Sequence, residues 1–305
     1  MRVAGIRSFG AAVETIDVPD PRQLAAGEVL IELRATGVGN WDDYVRRGEW
    51  DVGSTPPMAL GVEAAGVVGA VGPGASDLAA GDEVLTHPLP LRDGQGTWAP
   101  WLIAATSLVA RKPAGMPWEA AAVFSVPALT ATQALDEAVA IRPGETLLVN
   151  GAGGVTGLLL VALGAIRGAR VVATAGPASH EELRRVGAER VLDYHDAGWT
   201  REARETGVDA AVNAAPGQAD AAIGVVRDGG RLATITSDPP SERRSIQVSN
   251  VYVRPDGRQL QSAVDLWSAG SLSVEVGWTF GLDDAARALE TAVHGGGGRA
   301  VVLGL

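Results

Sequence analysis

Apolar residues along this chain follow two rhythms. Over residues 1–110 they come in short runs, at 29–34 (VLIELR), 66–71 (GVVGAV) and 102–105, cut by Gly72-Pro73-Gly74 and Ala80-Gly81-Asp82. Runs bounded by such residues predict strands joined by tight turns. From about Trp118 to Val253 the runs alternate with longer stretches of helical length. Strands are predicted at 146–150 (TLLVN), 170–175 (RVVATA), 190–193, 208–213 (VDAAVN) and 231–236 (RLATIT), with helices at 155–167, 179–186 and near 218–227. The remainder reads as a helix at 257–269, a strand at 274–280, a helix at 283–294 and a last strand at 300–303.

Wholly apolar strands that alternate with helices predict a parallel sheet covered on both faces. The fold class is therefore α/β: a doubly wound domain inserted into, or followed by, a mostly β domain. The pattern leaves open whether the two chain ends build one domain.

One segment joins this pattern to chemistry. In TLLVN-GAGGVTG-LLLVALGAIRGA-RVVATA, Gly151, Gly154 and Gly157 stand three apart, after a buried strand and at the start of a helix. The chain must turn sharply there, admit a pyrophosphate to the backbone, and pack the helix on the strand. Free N–H groups and the positive helix end then face the phosphates, so Gly153 and Val155 join the candidate contacts. A glycine turn alone is weak evidence; the complete strand–helix–strand unit makes it a dinucleotide-site expectation.

An NAD site usually carries Asp or Glu at the end of the second strand, about 20 residues on. Here that strand runs out as Ala173-Thr174-Ala175-Gly176-Pro177, and the first carboxylate is Glu181 in the next helix. With no acid to repel a 2′-phosphate, the reading favours NADPH. Ser179, His180, Arg184 and Tyr194 are the residues available to meet it. Strand ends in open α/β sheets face the ligand, which adds Thr174, Asn213, Thr234, Ile235 and Thr236.

Composition removes alternatives. The chain of 305 residues has 25 basic and 36 acidic side chains, a formal charge of −11. That balance argues against a nucleic-acid surface, which needs a basic stripe. Without any cysteine there are no disulfides, thiolate zinc sites or cysteine nucleophiles. No run approaches the ~20 apolar residues of a membrane helix, and the first residues lack the apolar run of a signal peptide. The expectation is a soluble cytoplasmic protein with no membrane or nucleic-acid partner.

Fragments spread along the whole chain, in order, resemble the zinc-independent quinone oxidoreductase (zeta-crystallin-like) branch of the medium-chain dehydrogenase/reductase superfamily. They are GVGNWDDYVRRGEW (37–50), ALGVEAAGVVGAVGPG (59–74), AAGDEV (79–84), GTWAPWLIA (96–104), AAVFSVPALTATQAL (121–135), RPGETLLVNGAGGVTG (142–157), GGRLATI (229–235) and RAVVLGL (299–305). The resemblance implies a GroES-like β domain at 1–120 and 259–305, with a Rossmann domain inserted at 121–258. It also implies hydride transfer from NADPH to a quinone or α,β-unsaturated carbonyl in the cleft between them, and a homodimer.

The zinc-dependent relatives place a cysteine within GVGNWDD, a histidine where Val62 stands, and a further cysteine. None is present, and the four histidines lie scattered at 87, 180, 195 and 294. The expectation is no metal. Within the resemblance, Tyr44 is the candidate to orient a carbonyl, against a packing aromatic. Gly39 stands where relatives carry an asparagine, so Asn40 reaches the nicotinamide end only with a backbone shift. Asp42 is either a substrate-side polar group or a cap of the 43–46 turn. Glu63 is either an acid near the site entrance or a strand-end charge. Thr130 either bonds near the nicotinamide ribose or caps a helix start. Trp41, Trp50 and Trp98 offer a flat wall for a planar acceptor, whereas Trp118, Trp267 and Trp278 read as core or interface packing. Two other functions compete: an enoyl reductase on a carrier- or coenzyme-linked chain, and a non-catalytic NADPH-binding redox sensor.

Overall fold

The computed structural model describes residues 1–74 and 77–305. They form two units, one of residues 1–126, 254–268 and 274–305, the other of residues 127–253 and 269–273. In the first, β1 (Arg2–Ile6) pairs antiparallel with β2 (Glu14–Asp17) through Val3 opposite Ile16. Strand β3 (Glu28–Val38) alternates inside and out as far as Arg34, then is buried on both faces over residues 35–38. It therefore runs four residues past the predicted end. Helix α1 (Trp41–Arg47) follows, its last carbonyls met by the N–H of Gly48 in the left-handed conformation. Then come β4 (Met58–Ala59), β5 (Ala64–Val71), β6 (Glu83–Thr86), β7 (Trp101–Ala105), β8 (Val109–Arg111) and the short helix α2 (Trp118–Ala122).

The second unit begins inside α3 (Ser125–Gln133). Its strands are β9 (Thr146–Asn150), β10 (Arg170–Ala175), β11 (Ala188–Asp193), β12 (Val208–Asn213), β13 (Val226–Thr234) and β14 (Gln247–Asn250), and its helices include α4 (Val155–Ile166), α5 (His180–Arg185), α6 (Trp199–Glu205) and α7 (Ala219–Val225). The sheet order is β11-β10-β9-β12-β13-β14, with every neighbour parallel. This is the doubly wound order, in which strand succession reverses between β9 and β12 and opens a crevice at their carboxyl ends. All five residues of β9 are buried, as a strand covered on both faces requires. Leu148, Val172, Ala211 and Leu232 from four neighbouring strands meet Ile223 and Val225 of α7 in one core.

The chain then returns to the first unit with α8 (Gly257–Ser268), β15 (Val276–Gly281), α9 (Ala285–Val293) and β16 (Ala300–Gly304). Strand β16 lies antiparallel to β3, Val301 opposite Val38, in a sheet ordered β15-β16-β3-β5-β6-β8 with β7 also on β3. The doubly wound unit is thus inserted, and both ends of the chain build the mostly β unit.

Several predicted limits shift for physical reasons. The 218–227 helix stops at Val225, because Val226 is already extended and pairs with Val208. The strand predicted at 231–236 starts with it and ends at Thr234. Pro177 opens a tight 3₁₀ turn before α5, where its fixed φ suits a first helical position. The expected 43–46 turn is a seven-residue helix. Strands β1 and β2 carry no prediction; each is short, and their pairing joins residues 17 and 2 across a loop.

Candidate functional site

Asn150 ends β9 after the apolar Leu147, Leu148 and Val149, and the chain turns immediately after it. Gly151 takes φ +84°, and a Cβ there would lie 2.9 Å from the Ala215 nitrogen, so a side chain is excluded twice over. Gly154, extended at φ −94°, precedes the first turn of α4, and a Cβ on it would meet nothing within 4 Å. The space in front of this helix end is open. Gly157 sits 2.7 Å, by the same measure, from the backbone of Ala152, which lets α4 close onto the loop. The first N–H groups of any helix lack intrahelical partners, and here they face that open space beside Gly153 and Val155.

The strand ends behind the loop are tied by a side-chain network. Thr174 donates to Asn150 Oδ1 at 2.7 Å and accepts the Gly151 N–H at 3.0 Å. Asn150 donates to Asn213 Oδ1 at 2.8 Å. Asn213 in turn donates to Ala215 O at 3.1 Å and to the hydroxyl of Thr236 at 3.0 Å. Asp238 closes the chain of contacts, accepting from Thr234 at 2.8 Å and from the Gly217 N–H at 2.7 Å. The Ile235 N–H goes to the Asn213 carbonyl at 3.0 Å. Thr174, Asn213 and Thr234 are buried and spend these polar atoms on one another, so their side chains hold the loops while the backbone is presented. Asn150 and Asp238 escaped the sequence reading. The polar end of the TLLVN run was the available signal for Asn150; Asp238 lies beyond any strand and gave none.

Beyond β10, Ser179 and Tyr194 come to the same end of the sheet. Ser179 Oγ lies 3.0 Å from the position of a Cβ on Gly153, and the Tyr194 hydroxyl 3.8 Å from one on Gly176. Thr130 lies in the interior of α3 and is nearly buried, so it caps no helix start.

In the first unit the candidates separate. Tyr44 and Asn40 are at the surface, with the Arg47 guanidinium 5.0 Å from the Tyr44 ring centre. Asp42 is wholly buried, and its Oδ2 accepts the Gly39 N–H at 2.8 Å while Oδ1 has no partner among the described residues. Glu63 is also buried and accepts the Val126 N–H at 2.8 Å; it is no exposed strand-end charge. Burial pushes the Asp42 carboxyl up to about 7, against the pull of the Gly39 and Gly61 N–H groups. Burial also holds Glu63 well above the ordinary carboxylate range; the Val126 N–H opposes this and the nearby Asp42 charge reinforces it. Desolvation costs the charged form of each acid more than these few dipoles return. His87 is pushed down to about 4 by burial, against its bond to the Val62 carbonyl, and is neutral near pH 7.

Trp98 corrects another expectation. It is completely buried with its indole N–H on the Gly37 carbonyl at 3.0 Å, and forms core rather than a wall. Trp278, read as core or interface packing, is 49% exposed and so is not core. Trp41 lays its ring over Gly39, where a Cβ would come within 2.1 Å, so glycine at 39 and tryptophan at 41 belong together.

Family models give this geometry a context. One described as an alcohol dehydrogenase GroES-like domain matches residues 25–114, and one described as a zinc-binding dehydrogenase matches residues 186–296. The quinone oxidoreductase of Homo sapiens is 26% identical over 328 residues, covering 99% of this chain and 98% of the relative. The chain belongs to the medium-chain dehydrogenase/reductase superfamily. Within that superfamily, a mycobacterial protein solved in complex with NADPH is 28% identical, with a TM-score of 0.86 and full coverage of both chains. Erythronolide synthase EryA2 of Saccharopolyspora erythraea is 39% identical over 208 residues, 66% of this chain, which spans about 6% of that relative's length. No helix among the described residues is long and apolar enough to cross a membrane.

The superfamily includes zinc enzymes, and the residues present do not fit that ion. Among the described residues no three His, Cys, Asp or Glu side chains gather to hold a metal, whereas a catalytic zinc takes three protein ligands. A nicotinamide dinucleotide fits better: the open space before α4, the left-handed Gly151 and the uncharged end of β10 match its diphosphate and ribose.

Proposed function

We propose that the protein is a zinc-independent, NADPH-dependent reductase of quinones or α,β-unsaturated carbonyls, working as a cytoplasmic homodimer. The observation that carries this reading is the glycine turn between β9 and α4, backed by a strand end with no carboxylate. When bound, the cofactor supplies the hydride. The protein's task is to hold the reactants in line and exclude water.

In this reading Gly151, Gly153, Gly154, Val155 and Gly157 seat the diphosphate through backbone N–H groups. Thr174, Asn213, Thr234, Ile235 and Thr236 fix the strand ends beside it. Ser179 and Tyr194 serve the adenosine end, and Thr130 the nicotinamide end. On the substrate side Tyr44 orients the acceptor oxygen, with Asn40 beside it. Asp42 is raised to about 7 by burial, and a buried acid poised there suits proton transfer. The similarity to EryA2 supports a second reading, an enoyl reductase on a carrier-linked chain.

NADPH oxidation followed with benzoquinone, phenanthrenequinone, simple enones and an enoyl thioester separates these. Turnover of quinones or free enones supports the first reading, and turnover of the thioester alone the second. Tight NADPH binding with no oxidation by any acceptor overturns both in favour of a sensor.

A further inference from the structure

The end of β10 has an unusual neighbour. Ala175 stands where an NAD site would carry its acid, and its partner in the sheet is Asp193, the last residue of β11. That carboxylate is already engaged: Asp193 Oδ1 accepts the His195 backbone N–H at 3.0 Å and lies 2.7 Å from His195 Nδ1. Both His195 contacts, and after them the charge of His180, hold Asp193 below the usual carboxylate range. His180 Nε2 donates to the Ala175 carbonyl at 3.0 Å. The His195 ring stacks obliquely on Tyr194, centres 4.1 Å apart, and its Cε1 lies 3.7 Å from the position of a Cβ on Gly176. Two imidazoles, a phenol and one carboxylate therefore gather beside Gly176, where the adenosine ribose of a dinucleotide would lie.

We infer that His195, oriented by Asp193 and assisted by His180, reads the cofactor's 2′-phosphate, so that the preference for NADPH over NADH rises as the pH falls. The inference rests on the nicotinamide-cofactor reading above. With both imidazoles neutral the cluster carries only the charge of Asp193 and repels a phosphate. With both protonated its sign reverses, and each ring offers a charge-assisted donor. The titratable groups around His195 are Asp193 and Tyr194 beside it in the chain, His180 on α5, and Asp196 in the same turn. Asp196 is tied to the Gly198 N–H at 2.8 Å.

The test measures dissociation constants of NADP⁺ and NAD⁺ by tryptophan quenching, and kcat/KM for NADPH and NADH, between about pH 6 and about pH 8.5, a window that spans histidine titration. Wild type and the His195→Gln variant are compared; the side chain is 62% exposed, and the amide keeps a donor toward Asp193 without a charge. The phosphate's own titration near pH 6 works in the opposite direction, and the variant measures it. The expected result is an NADP(H) preference that grows about tenfold or more toward low pH, as loss of a charge-assisted bond implies. It should flatten in His195→Gln with NAD(H) binding unchanged. A preference that is flat or falls toward low pH in the wild type, or survives in the variant, overturns the assignment while leaving the cofactor reading intact. Failure to bind either nucleotide overturns both.

Discussion

Replacing Asp42 with asparagine removes an ionisable group from the buried interior of the β unit while nearly keeping its shape. The Asp42 carboxyl is fully buried and is pushed from its ordinary 3.8 up to about 7, chiefly by desolvation. Because its folded value lies above its unfolded one, the fold binds this proton more tightly than the open chain does. The associated stability is fully present below about pH 4 and is lost as the pH climbs through about 7. Three powers of ten in proton affinity correspond to about 4 kcal/mol at 1.36 kcal/mol per pKa unit. Against a total of about 5–15 kcal/mol for a typical protein, that is a large share. Glu63, also held above the ordinary carboxylate range by burial and by the Asp42 charge, is present in both proteins compared below. Urea midpoints of wild type and Asp42→Asn, taken at about pH 5 and about pH 8, test the argument. The wild type should weaken by about 2–3 kcal/mol more than the variant, because about two of the three pH units over which the stability is lost lie inside the interval. Parallel losses in the two proteins would show that Asp42 is not held neutral by burial.

Other outcomes follow from the same geometry. Gly154→Val adds a branched side chain to open space, so the variant should melt like the wild type yet bind NADPH about tenfold to a hundredfold more weakly, the scale of one or two lost charge-assisted hydrogen bonds; unchanged affinity by tryptophan quenching refutes the loop's role. Gly151→Ala meets a left-handed backbone and the Ala215 amide, and should cost at least about 1–2 kcal/mol in urea unfolding; a neutral effect would contradict the turn geometry. Exhaustive chelation should leave turnover intact, and loss of activity restored by zinc would overturn the metal-free mechanism.

The inserted sheet was readable because its information is local. Each strand of TLLVN, RVVATA or VDAAVN is buried and apolar through its middle, and the spaced glycines run from the bend after β9 into the first turn of α4. The mostly β unit hid its plan. Strand β3 is met by β16, so that Val38 faces Val301 across most of the chain, and nothing local announces that pairing. Site residues divide the same way. The glycine loop follows from spacing alone, but the burial of Asp42 and Glu63 depends on residues 37–39, 61–63 and 125–126 converging. The tie between Asn150, Thr174 and Asn213 joins positions 24 and 63 residues apart. His195 was passed over because it stands beside Gly176 in space and not in sequence.

In the reaction proposed above, a hydride passes from a bound nicotinamide to an organic acceptor without a metal. Mass spectrometry of the product formed from a simple enone and NADPH carrying deuterium at both hydrogens of the nicotinamide C4, with chelator present, tests this directly. One deuterium should appear on the β-carbon of the saturated product, with none arriving there from solvent. Product formed without the label, or label transfer that requires added zinc, would contradict it.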